Sequence, residues 1–231
     1  MHLRSVFIFL AIWTVWQPAV FAQKRVLATV NPNVDAYNEG ADLFVPDGDV
    51  FQPAGGGMIE PREEHVAVPL IDGRVLVAGG HNNRYLRTAE IFDPASGVFA
   101  PNYQTIRSSV TGLDVTAPGY LKVPRSGAGG VLLMDGRVLV AGGYNGQYIE
   151  LAEIYDPDTG AFGYTTIPMR VARYRPSMTL LGDGRVLVAG GTDGDAVLSS
   201  AEIYDPATGA FSDADGMGTP RRGHTATVLE D

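Results

Sequence analysis

One nine-residue string, Asp-Gly-Arg-Val-Leu-Val-Ala-Gly-Gly, occurs three times without change, at 72–80, 135–143 and 183–191. A string of this length does not recur by chance, so the chain is built from repeated units. Two further segments follow each copy at similar distances. The first is Ala-Glu-Ile-(Phe/Tyr)-Asp-Pro, and the second centres on a single phenylalanine, at Phe99, Phe162 and Phe211. The unit is therefore the level at which this sequence specifies its fold.

Each unit predicts four short antiparallel strands, which we name a, b, c and d. Apolar stretches flank Asp-Gly and give strands a and b, and Asp-Gly between two such runs predicts a type I′ turn with positive φ at both residues. Strand b is apolar at consecutive positions, which predicts burial on both faces. Asp-Pro-x-(Ser/Thr)-Gly joins strands c and d and predicts a type I turn followed by a left-handed glycine. The sequence shows no helical period, so the predicted class is all-β.

The spacing of the units shows one irregularity. Between Asp135 and Asp183 the pitch is 48 residues, whereas between Asp72 and Asp135 it is 63, so the earlier unit contains 15 extra residues. The long spacing from Phe99 to Arg125 places this insertion at about 101–124, between strand d and the next strand a. Four-stranded units of this pitch are typical of β-propeller blades.

The Gly-Gly that ends strand b, the aromatic residue in strand c and the arginine that opens strand a resemble kelch repeats. They are similar to those of galactose oxidase-like proteins and of exported bacterial proteins, and the resemblance covers about residues 24–231. It implies a kelch-type β-propeller with about four blades of four antiparallel strands. Strand d is one departure, since phenylalanine stands where many kelch repeats have tryptophan.

The units divide the propeller into predicted blades. Residues 23–61 give strands b, c and d of the first blade, and 62–123, 124–172 and 173–219 give the next three. Residues 220–231 give a lone strand a. Two arrangements are open: a closed four-bladed ring whose ends share one composite blade, or the front part of a longer propeller.

The first 22 residues differ from the repeats. Arg4 precedes an eleven-residue apolar run, Val6–Trp16, and Val20-Phe21-Ala22 offers a cleavage site before Gln23. This pattern predicts a secretory signal peptide at 1–22, because a membrane anchor needs about 18 or more apolar residues. We therefore expect a propeller at 23–231 that is secreted, periplasmic or on the cell surface, with no membrane span after processing.

Charge and cysteine content exclude several functions. The formal net charge is −9 and lysine and arginine form no run, which argues against a nucleic-acid partner. The chain has no cysteine. The resemblance to galactose oxidase-like enzymes implies a copper site with a cysteine-crosslinked tyrosine, and that site cannot form here. No nucleophile elbow, metalloprotease or phosphate-loop motif is found, so we expect no cofactor and no catalytic residue.

The b–c loops and d–a connections are predicted to share one side of the propeller, which we call the loop face. All seven asparagines and six of the ten tyrosines fall in these segments. Variable loops on a rigid scaffold usually carry function, and tyrosine and asparagine are typical of binding loops; asparagine also suits turns for its own sake. The predicted binding residues are Tyr37, Asn82, Asn83, Tyr85, Tyr103, Tyr120, Tyr144, Asn145 and Tyr148.

Four arginines stand ten residues before a turn aspartate, at Arg62, Arg125, Arg173 and Arg221. One interpretation adds them to the predicted site, as a ring at the channel mouth that holds an anionic ligand by bidentate hydrogen bonds. The other makes them structural partners of the repeated glutamates Glu90, Glu153 and Glu202. His65 with His224, and Asp193 with Asp195, carry the elements of a metal site but fit ordinary strand and loop positions, so no metal site is predicted.

These observations predict a secreted, non-catalytic binding module that recognises a protein or a glycan through the loop face. One alternative is a carbohydrate-active kelch enzyme, such as a sugar isomerase or mutarotase, that uses Arg62, Glu64 and His65 at the channel mouth. Another is a truncated architectural part of a larger surface protein.

Overall fold

The computed structural model describes residues 26–29, 41–45, 50–109 and 112–229. Over these ranges the chain forms seventeen β-strands and no helix. None of the described segments is therefore a helix able to cross a membrane. The predicted signal peptide and Tyr37 lie outside the described residues.

Fifteen of the strands form four antiparallel sheets in meander order, which confirms the predicted fold class, an all-β propeller with about four blades. Blade 1 has three strands, β1 (Val26–Thr29), β2 (Ala41–Val45) and β3 (Val50–Pro53). Blade 2 comprises β4 (Val66–Pro69), β5 (Val75–Ala78), β6 (Ala89–Asp93) and β7 (Val98–Pro101). The insertion forms a separate hairpin of β8 (Tyr103–Arg107) and β9 (Asp114–Pro118). Blade 3 comprises β10 (Gly129–Leu132), β11 (Val138–Ala141), β12 (Ala152–Asp156) and β13 (Ala161–Tyr164), and blade 4 comprises β14 (Ser177–Leu180), β15 (Val186–Ala189), β16 (Ala201–Asp205) and β17 (Ala210–Ala214).

The hydrophobic core lies between successive blades, because strand b is covered on both of its faces. All four residues of β11 are buried, as its run of consecutive apolar residues predicts. Val66 and Val68 of blade 2 pack with Val138 and Val140 of blade 3 in one cluster, and an equivalent cluster joins blade 3 to blade 4. Stacking of sheets face to face in this way is what makes the repeat a propeller.

The a–b turn differs from the prediction in one respect. Only the glycine has positive φ, at 87° for Gly73, so the expected type I′ turn is wrong. The Gly73 amide instead donates to the Leu70 carbonyl, and the Asp72 carboxylate accepts from the Arg74 amide. The aspartate side chain thus closes the loop itself, and a type I turn with a left-handed glycine suffices.

The segment expected to be a lone strand a forms no strand over the described residues 221–229. Its start is nevertheless placed as in the preceding blades. The Gly191 amide donates to the Arg221 carbonyl, as Gly143 does to Arg173 and Gly80 to Arg125. A strand requires a ladder partner, and among the described strands none pairs with 225–229.

Within blades 2, 3 and 4, a buried ion pair joins the arginine before strand a to the glutamate of strand c. In blade 3, Arg125 Nη2 lies 2.7 Å from Glu153 Oε1, with side-chain exposures of 1% and 0%. Arg125 Nη1 also donates to the Gly142 and Leu151 carbonyls at the two ends of the b–c loop. The same contacts recur for Arg62 with Glu90 and for Arg173 with Glu202. The pair therefore fixes the base of the b–c loop in each of these three blades.

We expect Arg125→Ala to lower the free energy of unfolding by about 3–5 kcal/mol, because it leaves the Glu153 carboxylate buried without its cation. Arg137→Ala is the matched control, since Arg137 pairs with Asp135 at the surface with side-chain exposures of 39% and 44%, and its loss should cost about 1 kcal/mol or less. Urea denaturation followed by circular dichroism measures both. Equal destabilisation by the two variants would contradict a central structural role for the buried pair.

Candidate functional site

The b–c loops place three side chains at equivalent positions just after the Gly-Gly. These are His81, Tyr144 and Thr192, and each forms isolated β-bridges to two neighbours. Tyr144, for example, bridges Ser126 on one side and Tyr148 on the other. The start of strand a and the b–c loop of the same blade are therefore held edge to edge on the loop face.

These positions bring aromatic side chains from three blades into one group. We call Tyr85, Tyr144, Tyr148 and Tyr174 the tyrosine cluster. The Tyr144 ring centroid lies 5.6 Å from that of Tyr85, 4.9 Å from Tyr148 and 6.1 Å from Tyr174. His81 extends the group, with its ring 5.1 Å from Tyr85. All five residues are partly exposed, so the cluster presents aromatic side chains to solvent.

Glycines from adjacent blades hold two of these rings in place. A Cβ atom on Gly127 would lie 2.2 Å from Tyr174 Cε2, and one on Gly194 would lie 2.4 Å from Tyr148 Cε2. The rings thus rest directly on glycine backbone. Because this contact leaves no room for another side chain, the cluster is pre-organised by blades 3 and 4.

Beside the cluster, the residues two positions after the repeated arginines are linked to one another by backbone hydrogen bonds, from one unit to the next. The Gly127 amide donates to the Glu64 carbonyl, Arg175 to Gly127, and Gly223 to Arg175. All four residues have positive φ, between 54° and 60°. Glycine adopts this conformation freely, whereas other residues do so at a cost of about 1–2 kcal/mol. The backbone of Glu64 and Arg175 is therefore strained, whereas the two positions that alternate with them, Gly127 and Gly223, are free of this strain.

The two strained residues bind each other over Gly127. Arg175 Nη2 forms an ion pair with Glu64 Oε1, with side-chain exposures of 46% and 24%. The Tyr174 hydroxyl donates to the same carboxylate, 2.7 Å from Oε2. Burial, together with the Glu64 carboxylate, raises the pKa of Tyr174 well above its usual value. The hydroxyl therefore remains a donor at physiological pH.

The structure places the predicted site residues in three different environments. Tyr85, Tyr144 and Tyr148 meet in the tyrosine cluster. Asn82, Asn83 and Asn145 lie in the same b–c loops but serve the loops themselves, since Asn82 donates to the Pro61 carbonyl and Asn145 accepts from the Gln147 amide. Asn83 has a φ of 69°. The guanidinium carbon of Arg87 lies over the Tyr120 ring, 5.0 Å from the centre of that ring.

Tyr103 lies apart from the cluster because the insertion packs against the c–d turn of blade 3. The Thr105 amide of β8 donates to the Thr159 carbonyl, in the c–d turn of blade 3. Buried Asn102 anchors the hairpin by donating to the Gly160 carbonyl, and it accepts from the Tyr155 hydroxyl. The expectation that the whole insertion faces the same way as the b–c loops does not match these contacts, since β8 lies against the c–d turn of blade 3, at the other end of the strands from the b–c loops.

Three of the four predicted arginines are buried inside their blades. Arg62, Arg125 and Arg173 are 2%, 1% and 0% exposed, and their guanidinium groups are bound to the repeated glutamates. These contacts are those of the structural interpretation, in which the arginines are partners of the repeated glutamates and their charge is held inside the blades. Arg221 is exposed.

The candidate metal-binding residues do not assemble. Among the residues that the structure describes, no three histidine, aspartate or glutamate side chains are grouped so that they could hold a metal ion. His224 Nε2 lies 2.9 Å from Ser177 Oγ, and the Asp193 carboxylate accepts from amides of its own loop. Burial and the charge of Arg62 lower the pKa of His65 to about 4, so its imidazole is neutral at physiological pH.

Sequence reasoning did not assign Tyr174, Arg175 or His81 to the binding surface. A usable signal exists, because aligning the units on the repeated arginine shows glycine at 127 and 223 but charged residues at 64 and 175. That the two charges pair over one intervening blade depends on the inter-blade hydrogen bonds, which no local pattern encodes.

The family model of the kelch motif matches residues 65–100, 124–162 and 179–218, which correspond to blades 2, 3 and 4. The chain is a kelch-repeat protein with the β-propeller fold. Among solved structures, a fungal alcohol oxidase of the AA5 family in complex with copper matches with a TM-score of 0.52 at 17% sequence identity. The match covers 87% of this chain and 53% of that one, so this chain spans about half its length. At this identity the likeness shows the fold alone, and no curated protein matches the chain.

We expect the free energy of unfolding of the double variant Glu64→Gly/Arg175→Gly to be at most about 1 kcal/mol below that of the wild type, or higher than it. Relief of two left-handed residues gains about 1 kcal/mol each, while a partly exposed ion pair and one hydrogen bond are lost at similar cost. Gly127→Ala is the contrasting variant, since its Cβ would displace the Tyr174 ring, and it should be clearly destabilised. Urea denaturation measures both, and a large loss in the double variant would show that the fold needs the pair.

The pKa of His65 predicts a pH-dependent contribution to stability. The unfolded imidazole has a pKa of about 6.5, and the folded one is lower, so the unfolded chain binds the proton more tightly. The contribution is therefore complete above about pH 6.5 and is lost as pH falls towards 4. His65→Ala removes it and copies Ala128, the residue at the same position of blade 3. Melting temperatures from pH 7 to 4 should fall more steeply for the wild type, and parallel curves would contradict the assignment.

Proposed function

We propose that this kelch-repeat protein is an exported, non-catalytic binding module that recognises a protein partner through the tyrosine cluster. The observation that carries the proposal is the continuous group of five aromatic rings, contributed by blades 2, 3 and 4 and held by loops with a common base. Tyrosine gives large contact area with few rotatable bonds, and it is enriched among residues that dominate binding energy. Kelch repeats themselves suggest a protein-interaction module.

The geometry of the rings favours a protein over a glycan. The Tyr85 and Tyr144 rings pack at 83° to each other, and Tyr148 and Tyr174 pack at 78°. In such edge-to-face contacts the edge of one ring covers part of the face of the other. A sugar ring stacks best on an open aromatic face, whereas the ridged surface formed here suits side chains that insert between rings.

The alternative as a sugar isomerase receives less support from the site. It needs Arg62, Glu64 and His65 together at the channel mouth. The Arg62 guanidinium is bound by Glu90, Gly79 and Thr88 inside blade 2, and the ring Nδ1 of His65 is shielded from solvent. Of the three groups, Glu64 is the one at the tyrosine cluster.

A matched pair of variants tests the proposed function. Binders would be selected from a displayed library of exported proteins, alongside a glycan array, and measured by biolayer interferometry. Tyr144→Ala/Tyr148→Ala should weaken protein binding by about 30-fold or more, as expected for hot-spot residues. The control Tyr103→Ala/Tyr164→Ala removes two tyrosines that are 55% and 56% exposed elsewhere and should bind as the wild type does.

Two results would contradict the proposal. One is equal binding by the cluster variant and the wild type, which would place the interface elsewhere. The other is saturable binding to glycans alone, with the same loss in the cluster variant, which would replace the protein partner by a carbohydrate.

A further inference from the structure

Arg175 occupies a site with the chemistry of a cation receptor. Its guanidinium carbon lies 5.2 Å from the centre of the Tyr174 ring, within the range of a cation–π contact. The same guanidinium binds the Glu64 carboxylate, which Tyr174 holds in place through its hydroxyl. We call the aromatic face of Tyr174 together with the Glu64 carboxylate the guanidinium seat. An aromatic face beside an oriented carboxylate is a favourable environment for an arginine side chain.

The seat is a departure from the blade pattern rather than a requirement of it. At the two alternating positions, Gly127 and Gly223 adopt the same backbone conformation, with φ of 60°, and carry no side chain. Tyr174 likewise stands where the other units have Glu63, Ser126 and Arg222. The carboxylate, the aromatic side chain and the cation thus occur together at one place among the described blades, at the edge of the tyrosine cluster.

The occupant of the seat is easily exchanged. The Arg175 side chain is 46% exposed and its backbone is strained, while the Glu64 carboxylate is the more enclosed partner at 24%. A half-exposed ion pair contributes little net free energy, so Arg175 can leave the seat for solvent. Around the seat, Glu63 adds a second carboxylate on the same segment and contacts His81. The whole chain carries a net charge of −9, which attracts cations.

We propose that the guanidinium seat recognises an arginine side chain of the protein partner, which displaces Arg175 from Glu64 and Tyr174. The inference rests on the proposed binding function and specifies the chemistry at its centre. Arg175 then acts as an internal competitor. For a ligand that needs the seat empty, the apparent affinity is the intrinsic affinity multiplied by the fraction of molecules in which the seat is free. Removal of Arg175 should therefore strengthen arginine binding.

The test uses the whole chain and a capped Gly-Arg-Gly-Gly peptide, with the isosteric citrulline peptide as the neutral control. Arg175→Gly copies Gly127 and Gly223 and keeps the backbone conformation. Isothermal titration calorimetry should show the arginine peptide binding Arg175→Gly at least about tenfold more tightly than the wild type, as expected if Arg175 fills the seat about nine-tenths of the time. The citrulline peptide should bind neither protein, and adding Glu64→Gln to Arg175→Gly should abolish the gain.

Arg175→Asn is the second variant, because asparagine tolerates positive φ and lacks the cation. It should behave as Arg175→Gly does, and thermal unfolding verifies that both variants are folded. Equal affinity for the arginine and citrulline peptides in both folded variants would overturn the inference. If that happens while Tyr144→Ala/Tyr148→Ala still loses its protein partner, the seat is excluded and the binding module remains. If the tyrosine variant keeps its protein partner while the seat binds the arginine peptide, the proposed binding function of the tyrosine cluster is excluded and arginine binding by the seat remains.

Discussion

In each complete blade, a buried arginine and a buried glutamate connect three segments that are remote in sequence. The guanidinium of Arg125 binds both ends of the b–c loop and the Glu153 carboxylate, and that carboxylate also accepts from the Lys122 and Val123 amides of the preceding connection. Desolvating two charges is costly, and the pair is tolerable only because the donors and acceptors around it are satisfied. The hydrogen bonds of the pair are therefore satisfied together or not at all. As a result the b–c loop, the connection before strand a and strand c of a blade adopt one arrangement together.

The constancy of this arrangement allows the loop face to vary. Since the base of the b–c loop is fixed in the same way in blades 2, 3 and 4, the residue after Gly-Gly lies beside the start of strand a of its own blade, whether it is His81, Tyr144 or Thr192. Substitution there changes chemistry without moving the backbone. The aromatic positions of blades 2 and 3 thus meet Tyr174 of blade 4 to form one surface, while Thr192 and Val197 leave the corresponding place in blade 4 non-aromatic.

The strain at Glu64 and Arg175 has a physical meaning within this framework. The hydrogen-bonded chain from Glu64 through Gly127 and Arg175 to Gly223 imposes the left-handed conformation on every blade start. Glycine meets that demand at no steric cost. Side chains at two of the four positions bring a carboxylate and a guanidinium together beside the tyrosine cluster, and strained backbone of this kind is characteristic of ligand-binding sites.

The sequence by itself determined the blades, their strand order and their burial, because these depend on short-range patterns. Apolar runs on both sides of Asp-Gly specify hairpins, and consecutive apolar residues in strand b specify burial on two faces. It also provided Tyr85, Tyr144 and Tyr148 as binding candidates. The type of the a–b turn was missed because the Asp72 side chain bonds to the loop, and no pattern of apolar residues records such a bond.

Only the tertiary structure decided which residues meet between blades. Tyr174 joins the tyrosine cluster and Arg175 reaches Glu64 across Gly127 because hydrogen bonds between blade starts set their separation. The insertion lies against the c–d turn of blade 3 because Asn102 is anchored to Gly160 there. The Arg175–Glu64 and Asn102–Gly160 contacts join residues 111 and 58 positions apart. A repeat fixes the shape of one unit, but the contacts between units depend on stacking geometry that is not written in any single unit.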